Sequence, residues 1–384
     1  MTGQREPFTV AIIGGGIGGL FAALSVHHHC AALGISINVY EQTSEYKEIG
    51  AGVGVGVGVG IGINAALLIH KLGLGEAANK IAGDRNGVWL AFRRSDNGAE
   101  IVTDIGDKVR LEFADSTSAT AHLVIGADGI HSSLRSQFAF DNPRYSGKIV
   151  YRGLVSIEDL QPWWHLSTYA VSWVGNDKHL LVFPISGNKM LNVVAFVSVE
   201  ESELGDFQES WVAVGNKEEV VSSFQKFEPH ARRILELMPE RPSKWVMNER
   251  EPLEQWIYLN GKVALLGDSA HAMSPHQGAG AGQAIEDGYI LGKALQDYLK
   301  SQSGGLGRWM QAYQTLRLPR AQRAQQTSRE AGKVYELQGE GLKGKTFDEC
   351  MPELRNRLKD RMNWVWLEDI DVMYEKLATE MRGE

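Results

Sequence analysis

The stretch from Phe8 to Glu41, FTVAIIGGGIGGLFAALSVHHHCAALGISINVYE, constrains the fold of this chain more than any other. Phe8 to Ile13 is apolar and β-branched, the pattern of a strand buried in a parallel sheet. Gly14, Gly16 and Gly19 follow as G-x-G-x-x-G, a helix continues from Leu20 to Leu33, and a second strand, Ile35 to Tyr40, ends on Glu41. A chain that leaves a strand through bare backbone and turns at once into a helix gathers free N–H groups and the positive end of a helix dipole, where a phosphate binds. Gly14 serves the tight turn, Gly16 the approach of a pyrophosphate, and Gly19 the packing of helix on strand. Glu41 falls where an acid holds ribose hydroxyls. These residues predict a dinucleotide site and leave NAD and FAD both open. His27, His28, His29 and Cys30 do not read as a metal site, because consecutive helical side chains point about 100° apart.

Two later junctions repeat the theme. HLVIGADGIHSSLR runs a strand, Leu123 to Ile125, into Gly126, Asp128 and Gly129, with a helix opening near His131 and Arg135 inside it. KVALLGDSAHAMSPHQGAGAG ends a strand on Gly267-Asp268, then passes through PHQGAG (Pro275 to Gly280) into a helix expected from about Gly282 to Leu299. In this order the three junctions resemble the class A FAD-dependent monooxygenases, the single-component aromatic hydroxylases of the salicylate hydroxylase type. YRGLV (Tyr151 to Val155) and the Trp-rich MNWVWLEDID resemble the fungal salicylate hydroxylases and phenol-dearomatising hydroxylases in particular.

The resemblance implies an α/β fold: a Rossmann-like FAD-binding domain, an inserted antiparallel-sheet substrate domain and C-terminal helices. It implies that Asp128, with Arg135, and Asp268 bind FAD, Asp268 on the ribityl chain. Gly278, Gly280 and Ala281 would lie at the flavin's pyrimidine edge, where a helix N-terminus stabilises the negative charge of reduced flavin. Ala51 and Gly52, in EIGAG, would run past the ring. NADH or NADPH would reduce the flavin, which would trap O₂ as a C4a-hydroperoxide and pass one oxygen to a small phenolic substrate.

Between Lys148 and Ser198 the alternating segments KIVYRGLVSI, YAVSWVG, HLLVFPI and LNVVAFVSV read as an antiparallel sheet. Arg152 is the candidate catalytic residue, a guanidinium to hold a phenolate; the bland alternative is an Arg bridging sheet and helix. Phe183 stands where some relatives carry a Tyr that shares this task. His165, His179, His271 and His276 are candidates for proton handling, with His271 read as structural. Trp163, Trp164, Trp173 and Trp211 fit either a pocket lining or core. Helices are expected over about Lys217 to Phe227, Pro229 to Met238, Trp309 to Glu336 and Glu353 to Met381.

Two places break the family pattern. The Gly-Val alternation after EIGAG is unusually long, so its register is weakly specified. After WLAFRRSDNGAEIVTDIG the family's Arg-bearing helix and the strand that follows it are expected, but Ile105-Gly106 runs directly into Asp107. Arg93 and Arg94 are only partial substitutes. Loss of that segment predicts exposed apolar surface and weaker FAD binding, and with them one alternative, a flavin-binding protein with impaired or no turnover; the other alternative is a flavin-dependent reductase or dehydrogenase on the same fold.

A net charge of −8 argues against nucleic-acid partners, and two cysteines, Cys30 and Cys350, build no disulfide framework. No apolar run predicts a membrane span. The reading is therefore a cytoplasmic monomer or homodimer. Its domains are FAD-binding (1–147 and 258–345), substrate (148–257) and a C-terminal helix (346–384).

Overall fold

The computed structural model describes residues 6–42, 68–69, 71–74, 101–105, 107–113, 118–139, 141–204, 213–301 and 304–383. Ala51, Gly52, Arg93, Arg94 and Trp211 lie outside them.

Strand β1 (Phe8–Ile13) enters the core and turns through Gly14–Gly16 into α1 (Ile17–Cys30), after which β2 (Ile35–Tyr40) returns parallel to β1. A hairpin-linked sheet of β3 (Ile101–Ile105), β4 (Lys108–Glu112) and β5 (Ser118–Ala121) comes next. Ile105 pairs with Lys108, so two residues join β3 to β4, and no helix intervenes at this junction. Strand β6 (Leu123–Gly126) then joins β1 on the side opposite β2.

The chain next builds a six-stranded antiparallel sheet. Its main strands are β7 (Arg144–Ser156), β8 (Val171–Gly175), β9 (Lys178–Ile185) and β10 (Met190–Ser198), with β11 (Ala213–Val214) and β12 (Ser243–Glu249) at the other edge. Helices α3 (Lys217–Ser223) and α4 (Pro229–Glu236) follow a one-turn α2 (Ser133–Ser136) in chain order and cover one face of this sheet. Ile149, Tyr151, Val193 and Ala195 point into that cover, while the alternate residues Val150, Phe183, Val194 and Phe196 form a second apolar cluster on the opposite face. Trp163, Trp164 and Trp173 pack with the helix-covered cluster, so they lie on the face away from Arg152.

Short strands β13 (Ile257–Tyr258) and β14 (Val263–Leu265) bring the chain back, and the first sheet closes in the order β13-β14-β6-β1-β2. After a one-turn α5 (Asp268–His271), the buried helix α6 (Gly280–Ser301) crosses α1 closely. A Cβ on Gly288 would meet the backbone of Ala22 at 3.1 Å, so the two helices touch backbone to backbone. Helix α7 (Gly305–Tyr335) runs along α6.

The expected single terminal helix is instead three: α8 (Phe347–Leu358), α9 (Asn363–Leu367) and α10 (Ile370–Arg382). Asp360 adopts a left-handed backbone (φ 55°) that ends the first, and the Asp369 side chain accepts from the N–H groups of Asp371 and Val372 to start the third. Tyr374 is fully buried and donates to Asp297, whereas Trp366 and Leu367 face outward.

Among the described residues β2 is an end strand of the first sheet, with Val39 exposed, and α1 presents Ile17, Leu20 and Leu24 outward at helical spacing.

Candidate functional site

Four parallel strand ends set the site. In register, Tyr40, Ile13, Gly126 and Leu265 lie side by side across β2, β1, β6 and β14. At roughly 4.8 Å per strand the row is about 15 Å long. Each strand then releases one of the expected segments: Glu41, the Gly14–Gly19 turn, Ala127-Asp128, and Gly267-Asp268. The corners touch. A Cβ on Gly19 would overlap the carbonyl oxygen of Gly14, and one on Gly14 would overlap that of Ala127, so both positions must be bare for the first two corners to meet. A Cβ on Gly16 meets nothing within 4 Å, so this glycine faces open space. The Gly15 N–H donates to Glu41 Oε2 at 2.7 Å, an acid taking the kind of donor that a phosphate oxygen takes at a helix N-terminus.

Asp128 caps its own helix. Its carboxylate accepts from Ser132 Oγ at 2.5 Å and from the Leu134 N–H at 3.1 Å. Burial pushes its pKa up, and these hydrogen bonds oppose the rise. Arg135 departs from expectation. It is fully buried, and Nε and Nη2 grip Asp141 while the remaining N–H groups go to the carbonyls of Ser269, Ala270 and Glu251. A guanidinium has five N–H donors. All five are committed to protein, which leaves none for a cofactor oxygen. Arg135 ties the second corner to the third.

Asp268 is the opposite case. Gly267 holds a backbone conformation (φ 61°, ψ −143°) open to glycine, and Asp268 follows half-buried with no hydrogen-bond donor among the described residues. Burial raises its pKa, the nearby His271 lowers it, and Asp287 raises it. The corner is held from behind: Asp287 Oδ2 accepts from the Gly267 N–H at 2.9 Å and pairs with His271 Nε2 at 2.6 Å. Arg317 in turn grips Asp287 (2.8 Å) and Glu286. His271 is thus structural, as expected, while Asp287, Glu286 and Arg317 were not foreseen.

Pro275–Gln277 makes a 3-10 turn ended by Gly278 (φ 60°), and α6 starts at Gly280 with Ala281 beside it. His276 leaves this turn toward the antiparallel sheet, where its ring centroid lies 5.2 Å from both His179 and Phe196. Both ring nitrogens of His276 are buried without a hydrogen-bond partner. Burial, then the neighbouring His179 and Lys148, hold its pKa well below the usual 6.5. His179 Nδ1 meets Glu336 Oε1 at 3.0 Å, and Lys148 pairs with the same carboxylate. His165 is exposed against His230.

The loop therefore abuts the sheet face that carries Arg152. In register, Arg152 sits opposite Val194, and Leu154, Asn192 and Phe183 form the adjacent row. Arg152 is 6% exposed, has no carboxylate partner among the described residues, and donates from Nε to Asn192 Oδ1 at 2.6 Å. Its Nη2 and the Asn192 Nδ2 are buried and unpaired. With hydration stripped by burial and no counter-ion supplied, its pKa is pushed down to about 10. A buried cation without an anion is costly, and an arriving anion removes the cost.

Residues 96–328 match the family described as an FAD binding domain. The chain is 33% identical to salicylate hydroxylase from Pseudomonas putida over 430 aligned positions, covering 97% of this chain and 95% of that protein. It is 32% identical to 3-hydroxybenzoate 6-hydroxylase from Polaromonas naphthalenivorans, covering 95% of this chain and 97% of that one. The chain belongs to the FAD-dependent aromatic monooxygenases. A salicylate hydroxylase solved with its substrate superposes with a TM-score of 0.78 at 28% identity, over 98% of each chain. CtdE, solved with FAD and a substrate, shares the fold at 21% identity (TM-score 0.74, over 98% of this chain and 100% of that one).

The residues present fit such a cofactor: Gly16 faces open space and the Asp268 carboxylate has no donor among the described residues, chemistry that suits the phosphates and hydroxyls of a dinucleotide. The alignment with the P. putida enzyme spans 430 positions against 384 residues here, so at least 46 positions of it have no counterpart in this monooxygenase. Among the described residues no helix is long and apolar enough to cross a membrane.

Proposed function

We propose that this monooxygenase hydroxylates a small phenol bound as an anion, of the kind named for its salicylate and hydroxybenzoate hydroxylase relatives. The observation that carries the reading is Arg152, a buried guanidinium whose hydrogen-bond partner is a neutral amide. An oxyanion supplies the missing charge and accepts the free Nη2 hydrogens. The apolar face around it, with Val194, Leu181 and Phe183, keeps water from the ring.

In this reading the Gly14–Gly19 turn binds the pyrophosphate, Glu41 the ribose and Asp268 the ribityl hydroxyls. The N-terminus of α6, with Gly278, Gly280 and Ala281, faces the pyrimidine edge and favours negative charge there. Asp128 shapes the second corner through its cap. Bound FAD supplies the passage of electrons from NADH or NADPH and the activation of O₂. The protein holds, orients and keeps dry. Residues 1–147 with 258–345 form the FAD-binding unit, and 148–257 the substrate unit.

The test is NAD(P)H oxidation by the FAD-loaded protein across salicylate, 3-hydroxybenzoate and other phenols, with mass spectrometry of the product. Stimulated oxidation with one oxygen atom gained by the phenol supports the reading. Flavin reduction without oxygenated product for any phenol refutes it.

The apolar flank of β2 and α1 favours a second reading, a flavin protein of low turnover. It predicts weak FAD retention and NAD(P)H consumption that no phenol accelerates.

A further inference from the structure

The polar inventory of the Arg152 face leaves one group without a purpose. Asn192 lies inside β10, third of its nine residues, in LNVVAF, fully buried among apolar side chains. An amide there is disfavoured unless each of its polar atoms finds a partner. One does: Oδ1 accepts from Arg152 Nε at 2.6 Å. The orientation is fixed by that bond, because the flipped amide would set N–H against N–H. The Nδ2 group is then turned away from the guanidinium and has no acceptor among the described residues. Beside it, Arg152 Nη2 is equally without one there. On a guanidinium Nε and Nη2 form one edge, so the free Nη2 hydrogens project alongside the bond already made to Asn192. Two unsatisfied donors, on two residues joined to each other, share one side of a buried apolar face.

We infer that Asn192 is a substrate-binding residue, which aims Arg152 through Oδ1 and donates from Nδ2 to the same bound molecule. The inference rests on the proposed phenol-anion reading and adds to it a second contact point. Arg152 supplies charge. Asn192 supplies a directed donor that carries none, so it also holds a neutral acceptor on the substrate. Neither tie is available from Leu154 and Phe183, the apolar neighbours of Asn192 in its row. A substrate with a second oxygen beside its phenolic one uses both donors at once and gains orientation that one contact cannot give.

The test uses FAD-loaded wild type, Asn192→Asp and Arg152→Met, with flavin absorbance confirming the load. Binding of salicylate (anionic) and of salicylamide (neutral) is read from perturbation of the flavin spectrum. Asn192→Asp keeps the acceptor that aims Arg152 and removes the donor. The inference expects it to lose at least tenfold in affinity for both ligands, with an unchanged or higher Tm because Arg152 gains a carboxylate partner. Loss of salicylate alone means that charge neutralisation is the whole effect, and overturns the donor role. Unchanged binding of both overturns the inference while leaving Arg152 standing, provided Arg152→Met loses salicylate. Wild type that responds to neither ligand, or Arg152→Met that binds like wild type, overturns the phenol-anion reading and this inference with it. If Asn192→Asp fails to load FAD, Asn192→Leu removes donor and acceptor without adding charge: loss of both ligands supports the inference, whereas loss of salicylate alone, or unchanged binding of both, overturns the donor role.

Discussion

Replacing Arg152 by Met separates a residue kept for binding from one kept for stability. In the ligand-free protein the guanidinium is 6% exposed, and burial with no counter-ion moves its pKa from the usual 12.5 to about 10. At about 1.4 kcal/mol for each tenfold change, holding it charged costs about 3 kcal/mol. Met fills much of the same volume and removes that cost. Against this, Asn192 Oδ1 loses its donor, which costs about 1–3 kcal/mol. The two nearly cancel, so Arg152→Met is expected within about 1 kcal/mol of wild type, on either side, while losing phenol binding. Arg317→Met is the control. Arg317 is fully buried between Asp287 and Glu286; Glu286 keeps Arg320, but stripping Arg317 leaves the buried Asp287 without its guanidinium, at about 3–5 kcal/mol. The assay is urea unfolding of FAD-free protein followed by tryptophan fluorescence, comparing midpoints at equal slope. If Arg152→Met falls as far as Arg317→Met, Arg152 is a structural tie and the argument from its missing partner fails.

Three further outcomes follow from the geometry. Gly19→Ala places a Cβ on the Gly14 carbonyl and is expected to destabilise by about 1–3 kcal/mol or more, whereas Gly16→Ala, facing open space, keeps stability within about 0.5 kcal/mol and weakens FAD binding; equal unfolding midpoints for the two would contradict this. His179 and His276 are held below the ordinary pKa of 6.5, chiefly by burial, so the unfolded chain binds protons that the folded one refuses. Stability is then complete above pH 6.5 and is lost as pH falls below it, by up to about 1.4 kcal/mol per pH unit for each histidine; a flat profile between pH 7.5 and 5 would refute it. Glu336→Gln removes the charge that pairs Lys148 with His179 and is expected to cost about 3 kcal/mol, since Lys148 is left buried without its partner; thermal unfolding measures it.

What the sequence disclosed and what it hid divide along chain separation. The glycine turn, the two strand-to-acid junctions and the strands of the antiparallel sheet were legible because their signals are local: side-chain period, glycine spacing, an acid at a strand end. Phe8–Ile13 and Ile35–Tyr40 appear in the structure with the expected bounds. The C-terminal region misled because its breaks depend on one left-handed Asp360 and one Asp369 cap, inside an otherwise helical pattern. Arg135 misled differently. Its motif position was readable, but its partners Asp141, Glu251, Ser269 and Ala270 are assembled by the fold. Asn192 and the Asp287–Arg317 pair were missed for the same reason, although a lone amide in LNVVAF was a usable hint: a polar residue at an inward position of a buried strand needs a partner.

The measurement that bears most directly on the central claim is a fluorescence titration of FAD into flavin-free protein, wild type beside Asp268→Ala. If the strand-end corners grip one flavin nucleotide, wild type saturates at one FAD per chain, and Asp268→Ala, which loses a carboxylate that no donor among the described residues uses, binds at least tenfold more weakly with its unfolding midpoint unchanged. Folded wild type that shows no saturable binding, or an Asp268→Ala protein that binds as tightly as wild type, would contradict the account.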